Sequence, residues 1–337
     1  MPPKLSVCIP TYNRLSELKI CLEFLLPQVV VLLAGSVEIV IVNNASTDGT
    51  AEFIDTLPCQ YSFVQVFHNS ANLGFDGNTA RCIEYAAGEY MALLSDDDVY
   101  LEGQVQAILD VVSRGDYALL ALNYYSFIRQ VHRPYKTYAP EEDVSFGQAR
   151  DLINYLTVGH FSGLIYRSSL AKEKLNQTLD RAPLTQTDRS RGIYFEVALR
   201  LAYAADLPAY FIGRRRLAVK IPDSVDYAEI QNIAVDNCRF YTRLFKENVI
   251  SAADLAYRYR LVIALLPQLT IRCTPGMSVA EIERVTRELT GYLGNNRNFR
   301  RKCLPLLRVA QYRPVRWLYK NSYAAARYLK RKIKGEP

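Results

Sequence analysis

The chain of 337 residues contains few histidines and none of the common short zinc or dinucleotide motifs. Three histidines without an H-E-x-x-H pattern disfavour a zinc hydrolase, and no G-x-G-x-x-G follows the first predicted strand, which disfavours a nicotinamide dehydrogenase. The longest nearly apolar stretch, residues 24–34, is shorter than the roughly 20 residues that cross a bilayer. No membrane-spanning segment is therefore expected.

The cysteines also carry no motif. Seven of them, an odd number without a C-x-x-C pair, predict reduced core thiols in a cytosolic protein rather than a disulfide framework. The first residues lead directly into a strand-like run that leaves no room for a signal peptide, so export is not expected. Because 50% of the residues are apolar and 22% are charged, the chain has the composition of a folded protein.

Positive charge is concentrated at the C-terminal end. Residues 297–337 contain 13 lysines and arginines and one acid, a net charge of +12, whereas residues 1–296 carry 28 basic and 33 acidic side chains, a net charge of −5. In residues 313–334 the basic side chains alternate with aromatic and aliphatic ones, which is typical of helices that lie on anionic membranes. A solvated helix packed by its aromatic face and a nucleic-acid-binding tail are the alternatives.

Short apolar runs alternate with longer segments in the first third of the chain, which is the pattern of an α/β fold with a parallel sheet. Strands are predicted at residues 5–9, 37–42, 63–67, 90–94 and 117–125. Helices are predicted at residues 15–33, 50–57, 77–87 and 101–113, and later at 194–205, 227–246, 252–269, 279–293 and 314–333. In such sheets ligands bind at the carboxyl ends of the strands, so the loops there are the expected site.

Polar loops follow the first four strands, at residues 10–14, 43–50, 72–78 and 95–98. The last loop contains Asp96, Asp97 and Asp98, whose mutual repulsion destabilises the turn unless a cation or a set of donors compensates. Carboxylate oxygens with open positions for phosphate suit Mg²⁺ or Mn²⁺. The alternative is a solvated turn that caps the following helix.

The four loops together resemble the signature blocks of family 2 glycosyltransferases with the GT-A fold. The resemblance rests on V-C-I-P-T-Y-N-R at residues 7–14, V-N-N-A-S-T-D-G-T at 42–50, N-L-G-F at 72–75 and L-S-D-D-D at 94–98. It covers residues 4–115 and thins toward residue 215. It implies an α/β, Rossmann-like GT-A domain at residues 1–215, with a mostly parallel central sheet flanked by helices, and an α-helical C-terminal region at residues 216–337.

The resemblance also implies site residues. A nucleotide diphosphate sugar would be bound by Pro10, Thr11, Tyr12, Asn13, Arg14, Asn43, Asn44, Asn72, Gly74, Asp76, Arg81, Asp96 and Asp97. A divalent metal, Mg²⁺ or Mn²⁺, would be held by Asp96, Asp97 and Asp98. Many members of the family have two aspartates where this chain has Asn43 and Asn44, which leaves uridine, thymidine and cytidine open as the base. Asp96 and Asp98 fit the D-x-D motif of the family directly, whereas anchoring the motif on Asp97 and Asp98 would put Ser95 at its first position, so that Asp98 or Asp97 would be the metal ligand.

An inverting transfer also needs a carboxylate that removes the proton of the acceptor hydroxyl. The E-V-A-L-R-L segment at residues 196–201 resembles the end of the family's helix that carries this base, but the base position itself falls on Tyr194. Glu196 and then Asp188 are therefore the candidates. His160 is a candidate for contact with the metal or the acceptor, although a single histidine beside an aromatic strand is more often structural.

These features predict a metal-dependent, inverting glycosyltransferase that moves a sugar from a nucleotide diphosphate donor to a glycan acceptor, expected to be lipid-linked, in surface polysaccharide synthesis. The alternative is a catalytically silent protein of the same fold that acts as a membrane-associated binding or scaffold subunit. The expected location is the cytoplasm, with peripheral contact to the inner face of the cell membrane through the C-terminal helix. No nucleic-acid partner is expected.

Overall fold

The computed structural model describes residues 2–156, 160–181, 192–221, 227–273 and 277–312. The chain divides into two compact units, Met1–Asp223 and Ser224–Pro337. The boundary expected at residues 215 and 216 falls inside a strand, Ala209–Lys220, which pairs with the central sheet of the first unit. The first unit therefore includes the whole of that strand.

Among the described residues, ten strands form one sheet in the first unit. In chain order they are β1 (Leu5–Thr11), β2 (Val37–Asn43), β3 (Val64–His68), β4 (Tyr90–Leu93), β5 (Val99–Tyr100), β6 (Leu119–Phe127), β7 (Lys136–Thr137), β8 (Val144–Phe146), β9 (Leu164–Arg167) and β10 (Ala209–Lys220). Their order in the sheet is β3-β2-β1-β4-β9-β6-β10-β5, with β7 paired to β6 and β8 paired to β10.

The longer ladders of the sheet are parallel. Strand β1 runs parallel to both β2 and β4, with Ile9 opposite Ile41 and Cys8 opposite Leu93, and β2 runs parallel to β3. Strand β9 is antiparallel to β4 and β6, and β10 is parallel to β6. All seven residues of β1 and all nine of β6 are buried, as expected for a sheet covered on both faces. The predicted α/β fold is confirmed.

Helices of the first unit cover the sheet with their apolar faces. They are α1 (Leu15–Val30), α2 (Thr50–Asp55), α3 (Leu57–Gln60), α4 (Gly74–Tyr85), α5 (Gln104–Val112), α6 (Ala149–Tyr155), α7 (Ser168–Arg181) and α8 (Ile193–Ala204). In α1 the buried Leu18, Leu22, Leu25 and Val29 recur at helical spacing and form one face. The single helix predicted at residues 50–57 is two helices, and Pro58 lies in the first turn of the second one, where a missing N–H is tolerated.

The second unit is helical in its described part, which confirms the predicted helical C-terminal region. Its elements are α9 (Tyr227–Lys246), α10 (Ala252–Cys273), α11 (Val279–Leu293), a π-helical turn (Phe299–Cys303) and α12 (Leu304–Val309). Helix α11 begins with a capping box in which Ser278 and Glu281 satisfy each other's backbone N–H groups. The helix predicted at residues 314–333 lies outside the described residues.

The described part of the chain has two further properties. None of its helices is long and apolar enough to pass through a bilayer. Six cysteines are described and all are free thiols; Cys8, Cys21, Cys82, Cys238 and Cys303 are buried, as expected, whereas Cys59 is exposed. The buried thiols fill the core as small apolar side chains.

A close approach between β1 and the turn before β4 gives a test of the packing. The N–H of Gly88 donates to Oγ of Ser6, and a Cβ added at Gly88 would lie 2.7 Å from the Ser6 backbone nitrogen. Gly88→Ala should lower the free energy of unfolding by about 1–3 kcal/mol, because the backbone of Ser6 or of residue 88 must move to make room for the added Cβ. Gly147→Ala, where an added Cβ meets nothing within 4 Å, should be nearly neutral. Equal urea midpoints for the two variants would contradict this packing.

Candidate functional site

The loops after β1, β2 and β4 meet at one edge of the sheet. The N–H of Asn44 donates to the carbonyl of Thr11 at 2.9 Å, and the Thr11 hydroxyl donates to Oδ2 of Asp96 at 2.8 Å. The N–H of Asn69 donates to the carbonyl of Asn43 at 2.9 Å, which adds the loop after β3. Because these four strands are parallel neighbours, their carboxyl ends and the polar loops that follow them lie side by side.

Two residues with left-handed backbone shape the loops after β1 and β2. Asn13 has φ +51° and Ala45 has φ +61°, a region that residues with a Cβ adopt only where their contacts hold them. Oδ1 of Asn13 accepts from the N–H of Thr47 at 2.7 Å, and the N–H of Asn13 donates to Oγ of Ser46 at 2.9 Å. The two loops therefore fix each other's conformation, and the ring of Tyr12 is left 43% exposed between them.

The amide of Asn44 holds the third loop in place. Its Nδ2 donates to Oδ1 of Asn72 at 2.8 Å and to the carbonyl of Gly74 at 3.2 Å. Its Oδ1 accepts from the N–H of Leu73 at 2.9 Å and from Nδ2 of Asn69 at 3.0 Å. An amide group has two donor hydrogens and two lone pairs, so the side chain of Asn44 is fully used inside the protein. This differs from the contact with a nucleotide base expected from the sequence.

Asn43 and Asp76 also make contacts that position backbone. Oδ1 of Asn43 accepts from the N–H of Ser46 at 3.1 Å, and its Nδ2 lies 3.1 Å from Nδ1 of His68. Oδ1 of Asp76 accepts from the N–H of Ile193 at 2.8 Å and so connects α4 with the first residue of α8. Both side chains therefore hold backbone at this edge of the sheet through hydrogen bonds.

Arg81 pairs with an acidic residue of its own helix. Its Nη1 donates to Oε2 of Glu84 at 2.7 Å, one turn further along α4, and both side chains are substantially exposed. None of the described contacts of Arg81 reaches the four loops. Its contact with a donor phosphate therefore stays a prediction.

Arg14 bridges the first two aspartates of the acidic triplet. Its Nη1 lies 3.0 Å from Oδ1 of Asp96 and 2.9 Å from Oδ2 of Asp97. The other oxygen of Asp96 accepts from Thr11, and the other oxygen of Asp97 accepts from Oγ of Ser95 at 2.6 Å. Burial raises the pKa of Asp96 to about 6, and the charge of Arg14 opposes this rise. The repulsion expected from the sequence is thus compensated by a guanidinium.

Both carboxylate oxygens of Asp98 accept hydrogen bonds inside the protein, and its role as a metal ligand stays a prediction. The residue is 1% exposed; its Oδ2 accepts from the Ser162 hydroxyl at 2.5 Å and its Oδ1 accepts from the N–H of Lys220 at 2.9 Å. Burial, and next the charge of Asp97, raise the pKa of Asp98 to about 8. Its oxygens serve to join the loop after β4 to the 3-10 turn at Phe161–Gly163 and to the end of β10.

A divalent ion fits two of the three carboxylates. No group of three or more His, Cys, Asp or Glu side chains within the described ranges is arranged to hold a metal. Oδ1 of Asp96 and Oδ2 of Asp97 nevertheless converge on one cation, the guanidinium of Arg14. Protein-bound Mg²⁺ often has only one or two carboxylate ligands and completes its shell with water and substrate phosphate. The donor set therefore suits a metal that arrives with a diphosphate.

His160 lies beside Asp98. Its Nδ1 accepts from the N–H of Ser162 at 3.3 Å and lies 3.6 Å from Oδ2 of Asp98, and its ring packs against Tyr124 at 5.2 Å between centroids. Burial lowers the pKa of His160 to about 4, so the ring is neutral near pH 7. Because Nδ1 accepts a hydrogen bond, the single proton of the neutral ring is on Nε2.

Glu196 is buried in an ion pair. The residue is 2% exposed, and its Oε1 accepts from both Nε and Nη2 of Arg200, one turn later in α8, at 3.0 and 2.8 Å. An acceptor hydroxyl therefore has little access to this carboxylate as it stands. Asp188, the second candidate for the general base, lies outside the described residues.

Phe75 of the third loop packs close to two aromatic side chains from other segments. Phe75 is 50% exposed, and its ring centroid lies 5.2 Å from that of Phe161, which lies 5.1 Å from that of Tyr194. Exposed rings beside polar loops suit stacking against a base or a sugar. Phe75 is the last residue of the N-L-G-F sequence, and Tyr194 is the residue at the position of the family's base, but nothing in the sequence predicted that these rings meet Phe161.

A comparison with known families agrees with this geometry. The sequence model described as Glycosyl transferase family 2 matches residues 6–174, about half of the chain, including the four loops. The chain belongs to this family. The match begins in β1 and ends within α7. It therefore contains the strands that carry the four strand-end loops.

Curated relatives of the chain are glycosyltransferases. Abequosyltransferase RfbV of Salmonella typhimurium is 41% identical over 95 residues, 28% of this chain and 28% of the relative. GalNAc(5)-diNAcBac-PP-undecaprenol beta-1,3-glucosyltransferase of Campylobacter jejuni is 28% identical over 114 residues, 34% of this chain and 36% of the relative. The matched segments thus span well under half the length of these relatives.

Solved structures show the same fold. TarS of S. aureus has a TM-score of 0.65 at 14% identity and covers 91% of this chain and 52% of its own. Residues 1–349 of TarS, solved in complex with UDP-GlcNAc, give a TM-score of 0.53 at 15% identity, with 91% of this chain and 90% of that one covered. The fold is that of the GT-A glycosyltransferases.

The buried carboxyl of Asp98 predicts a pH-dependent stability. Its pKa is higher in the folded state, about 8, than the ordinary value near 3.8, so the folded state retains a proton that the unfolded state loses. The free energy of unfolding should therefore fall as pH rises between about 4 and 8, by up to about 1.4 kcal/mol per pH unit from this group. Asp98→Asn, whose oxygen can still accept from the N–H of Lys220 while its amide NH2 faces the Ser162 hydroxyl as a donor, does not titrate and should flatten this dependence in urea titrations at pH 5, 6.5 and 8. An unchanged slope would contradict it.

Proposed function

We propose that the protein is an inverting glycosyltransferase that binds a nucleotide diphosphate sugar at the carboxyl edge of β1–β4. The observation that carries the proposal is that hydrogen bonds connect the four polar loops at one edge of the sheet, where Asp96 and Asp97 of the fourth loop face Arg14 of the first. Family membership supports transfer of a sugar. The inverting course follows from the expectation of one carboxylate base and no covalent intermediate.

The donor would be held by the exposed parts of the four loops. The rings of Tyr12 and Phe75 would stack on the base or the sugar, and the half-exposed guanidinium of Arg14 would meet the diphosphate. Pro10, Thr11, Asn13, Asn43, Asn72 and Gly74 would set the backbone on which the nucleotide lies. The TarS complex contains UDP-GlcNAc, which supports a nucleotide sugar of this general kind as the donor.

A divalent metal, Mg²⁺ or Mn²⁺, would be held by Asp97 together with Asp96. When bound it would neutralise the charge that develops on the leaving nucleotide diphosphate. Arg14 carries a fixed positive charge at the same place and would assist in that neutralisation. Thr11 and Ser95 keep the two carboxylates oriented by donating to their other oxygens.

The general base would be Asp188 or Glu196. Burial of Glu196 and its ion pair with Arg200 favour Asp188, which precedes the N-terminus of α8 by a few residues in the chain. A base at this place would remove the proton from the acceptor hydroxyl as it attacks the anomeric carbon. The neutral ring of His160 would be a hydrogen-bond donor through Nε2–H and not a base.

The acceptor would be a glycan linked to a lipid, handled at the inner face of the cell membrane. The name of the Campylobacter relative describes an acceptor carried on undecaprenol diphosphate, which supports this class. The basic and aromatic tail at residues 313–334, outside the described residues, would hold the enzyme near such an acceptor. A catalytically silent scaffold of the same fold is the competing proposal.

Donor turnover separates the enzyme from the silent scaffold. Purified protein is incubated with UDP-, dTDP-, GDP- and CDP-sugars and Mn²⁺, and released nucleotide diphosphate is measured. We expect release from at least one donor and its loss on addition of EDTA. Asp97→Asn should lower the release about 100-fold or more, because loss of the metal removes several kcal/mol of charge stabilisation. Asp110→Asn, an exposed acid on α5, is the matched control and should keep full activity.

Two outcomes would count against this proposal. A protein that binds a nucleotide sugar in calorimetry but releases no nucleotide with any donor would be the silent scaffold. Full activity of Asp97→Asn in EDTA would instead retain the transferase and reject the metal, leaving Arg14 as the cation at the diphosphate.

A pair of variants distinguishes the two candidate bases. Asp188→Asn should lower turnover about 100-fold or more with donor affinity unchanged, because general-base catalysis typically contributes that much. Glu196→Gln should instead lower the free energy of unfolding by about 3–5 kcal/mol, since it removes the negative charge that faces the buried guanidinium of Arg200. A stable but inactive Glu196→Gln protein, together with an active Asp188→Asn protein, would assign the base to Glu196.

A further inference from the structure

The second unit contains a short segment in which exposed cations have no acidic partner. The cations are Arg297, Arg300, Arg301, Lys302 and Arg308, and residues 297–312 contain no Asp or Glu. In the part of the chain that the structure describes, none of the five makes an ion pair. In the neighbouring α11, by contrast, Glu288 pairs with both Arg284 and Arg239. Five like charges so close in the chain repel each other and attract an external anion.

Packing directs these cations outward. The buried residues of the segment are Phe299, Cys303, Leu307 and Ala310, whose spacing of three or four places them on one helical face. The five cations occupy the remaining, solvent-facing positions. We call this surface, made of the five cations, the basic face of the second unit. It is a consequence of the fold and does not depend on the tail beyond residue 312.

A proline in α10 explains how the π-helical turn is held. Pro267 has no N–H, so the carbonyl of Ile263, four residues earlier, loses its helical partner. The thiol of Cys303 in the π-helical turn donates to that carbonyl, with 3.6 Å between Sγ and O. Turns of this type often occur at functional sites, and here the turn brings Arg300, Arg301 and Lys302 next to α10.

A cavity of about 360 Å³ lies between the π-helical turn and α10. Its polar lining is Arg260, Lys302, Asn296 and Asn298, and its apolar lining includes Ile263 and Pro267. Two cations and two amides are the groups that bind a phosphate, and the volume is within the range of ligand sites. The cavity could thus receive one phosphate group with an apolar portion attached.

Exposed apolar side chains adjoin the basic face. Val309 and Tyr312 are 39% and 66% exposed, just after the last cation, and Leu265 of α10 is 46% exposed, next to Ala264 in the cavity lining. Cations beside exposed aromatic and aliphatic groups match the interface of a bilayer, where headgroup phosphates adjoin acyl chains. A nucleic acid would match the charges but offers no apolar layer for these side chains.

We propose that the basic face docks on an anionic phospholipid bilayer and that the cavity receives the phosphate of one lipid headgroup. This surface would be a second membrane contact, separate from the tail at residues 313–334, and it does not depend on sugar transfer. Both Arg260 and Lys302 would contact the headgroup phosphate, while Val309 and Tyr312 would enter the headgroup layer. Binding should weaken with added salt, because the charges are exposed and are screened.

The test is sedimentation of the full chain with vesicles of phosphatidylcholine containing 30% phosphatidylglycerol, against vesicles of phosphatidylcholine alone. We expect binding to the anionic vesicles only. The variant R300Q/R301Q/K302Q should bind on the order of 100-fold more weakly, since each base near the surface contributes about a factor of five. The control R114Q/R129Q/R150Q removes three exposed arginines of the first unit and has the same reduction in net charge, from +7 to +4. It should bind like the wild type.

A second variant keeps the test independent of the π-helical turn. R297Q/R308Q changes only flanking positions and should weaken binding about 25-fold. Equal vesicle binding by the wild type, both variants and the control would overturn the proposal and leave residues 313–337 as the contact. Tighter binding to duplex DNA than to anionic vesicles, lost in the same variants, would replace the membrane by a nucleic acid. Release of nucleotide from soluble donors should be unchanged in every variant, so this test and that of the transferase fail separately.

Discussion

One guanidinium nitrogen holds the edge of the sheet together. Nη1 of Arg14 lies within 3.0 Å of oxygens from both Asp96 and Asp97, whose charges would otherwise repel each other where β4 ends. Burial alone would favour protonation of Asp96, and Arg14 keeps the charged form accessible near neutral pH. The same aspartate accepts from Thr11, which in turn accepts from the N–H of Asn44 through its carbonyl. The loops after β1, β2 and β4 therefore share one network.

The acidic triplet is divided between two tasks. Asp96 and Asp97 face the guanidinium of Arg14, whereas Asp98 accepts from the Ser162 hydroxyl and from the N–H of Lys220. The three residues lie in the turn between β4 and β5, where Asp96 and Asp97 meet residues of the first loop and Asp98 meets later segments of the chain. The buried hydrogen bonds of Asp98 thus hold the turn that carries the other two carboxylates and fix their geometry.

The excess of basic residues near the C-terminal end lies partly on the surface of the second unit. The sequence is basic at its C-terminal end, and the described part of that end turns five cations outward while Phe299, Cys303 and Leu307 anchor it from the inner side. The two units carry different chemistry: polar loops around paired carboxylates in the first, and cations beside exposed apolar groups in the second. These two kinds of surface suit a soluble, charged ligand and an amphiphilic one respectively.

The sequence by itself determined the α/β fold, the family and the loops of the site, since these depend on local periodicity and on short motifs such as P-T-Y-N-R and S-D-D-D. The sequence did not determine the helix ends near Pro58 and at the start of α4, because capping competes there with the periodic pattern. Only the tertiary structure decided what each side chain contacts. Asp98 meets Ser162 and Lys220, 64 and 122 residues further along the chain, and Asn44 is used up by the third loop. Such partners carry no signal at short range, because folding brings them together from segments whose local patterns are independent.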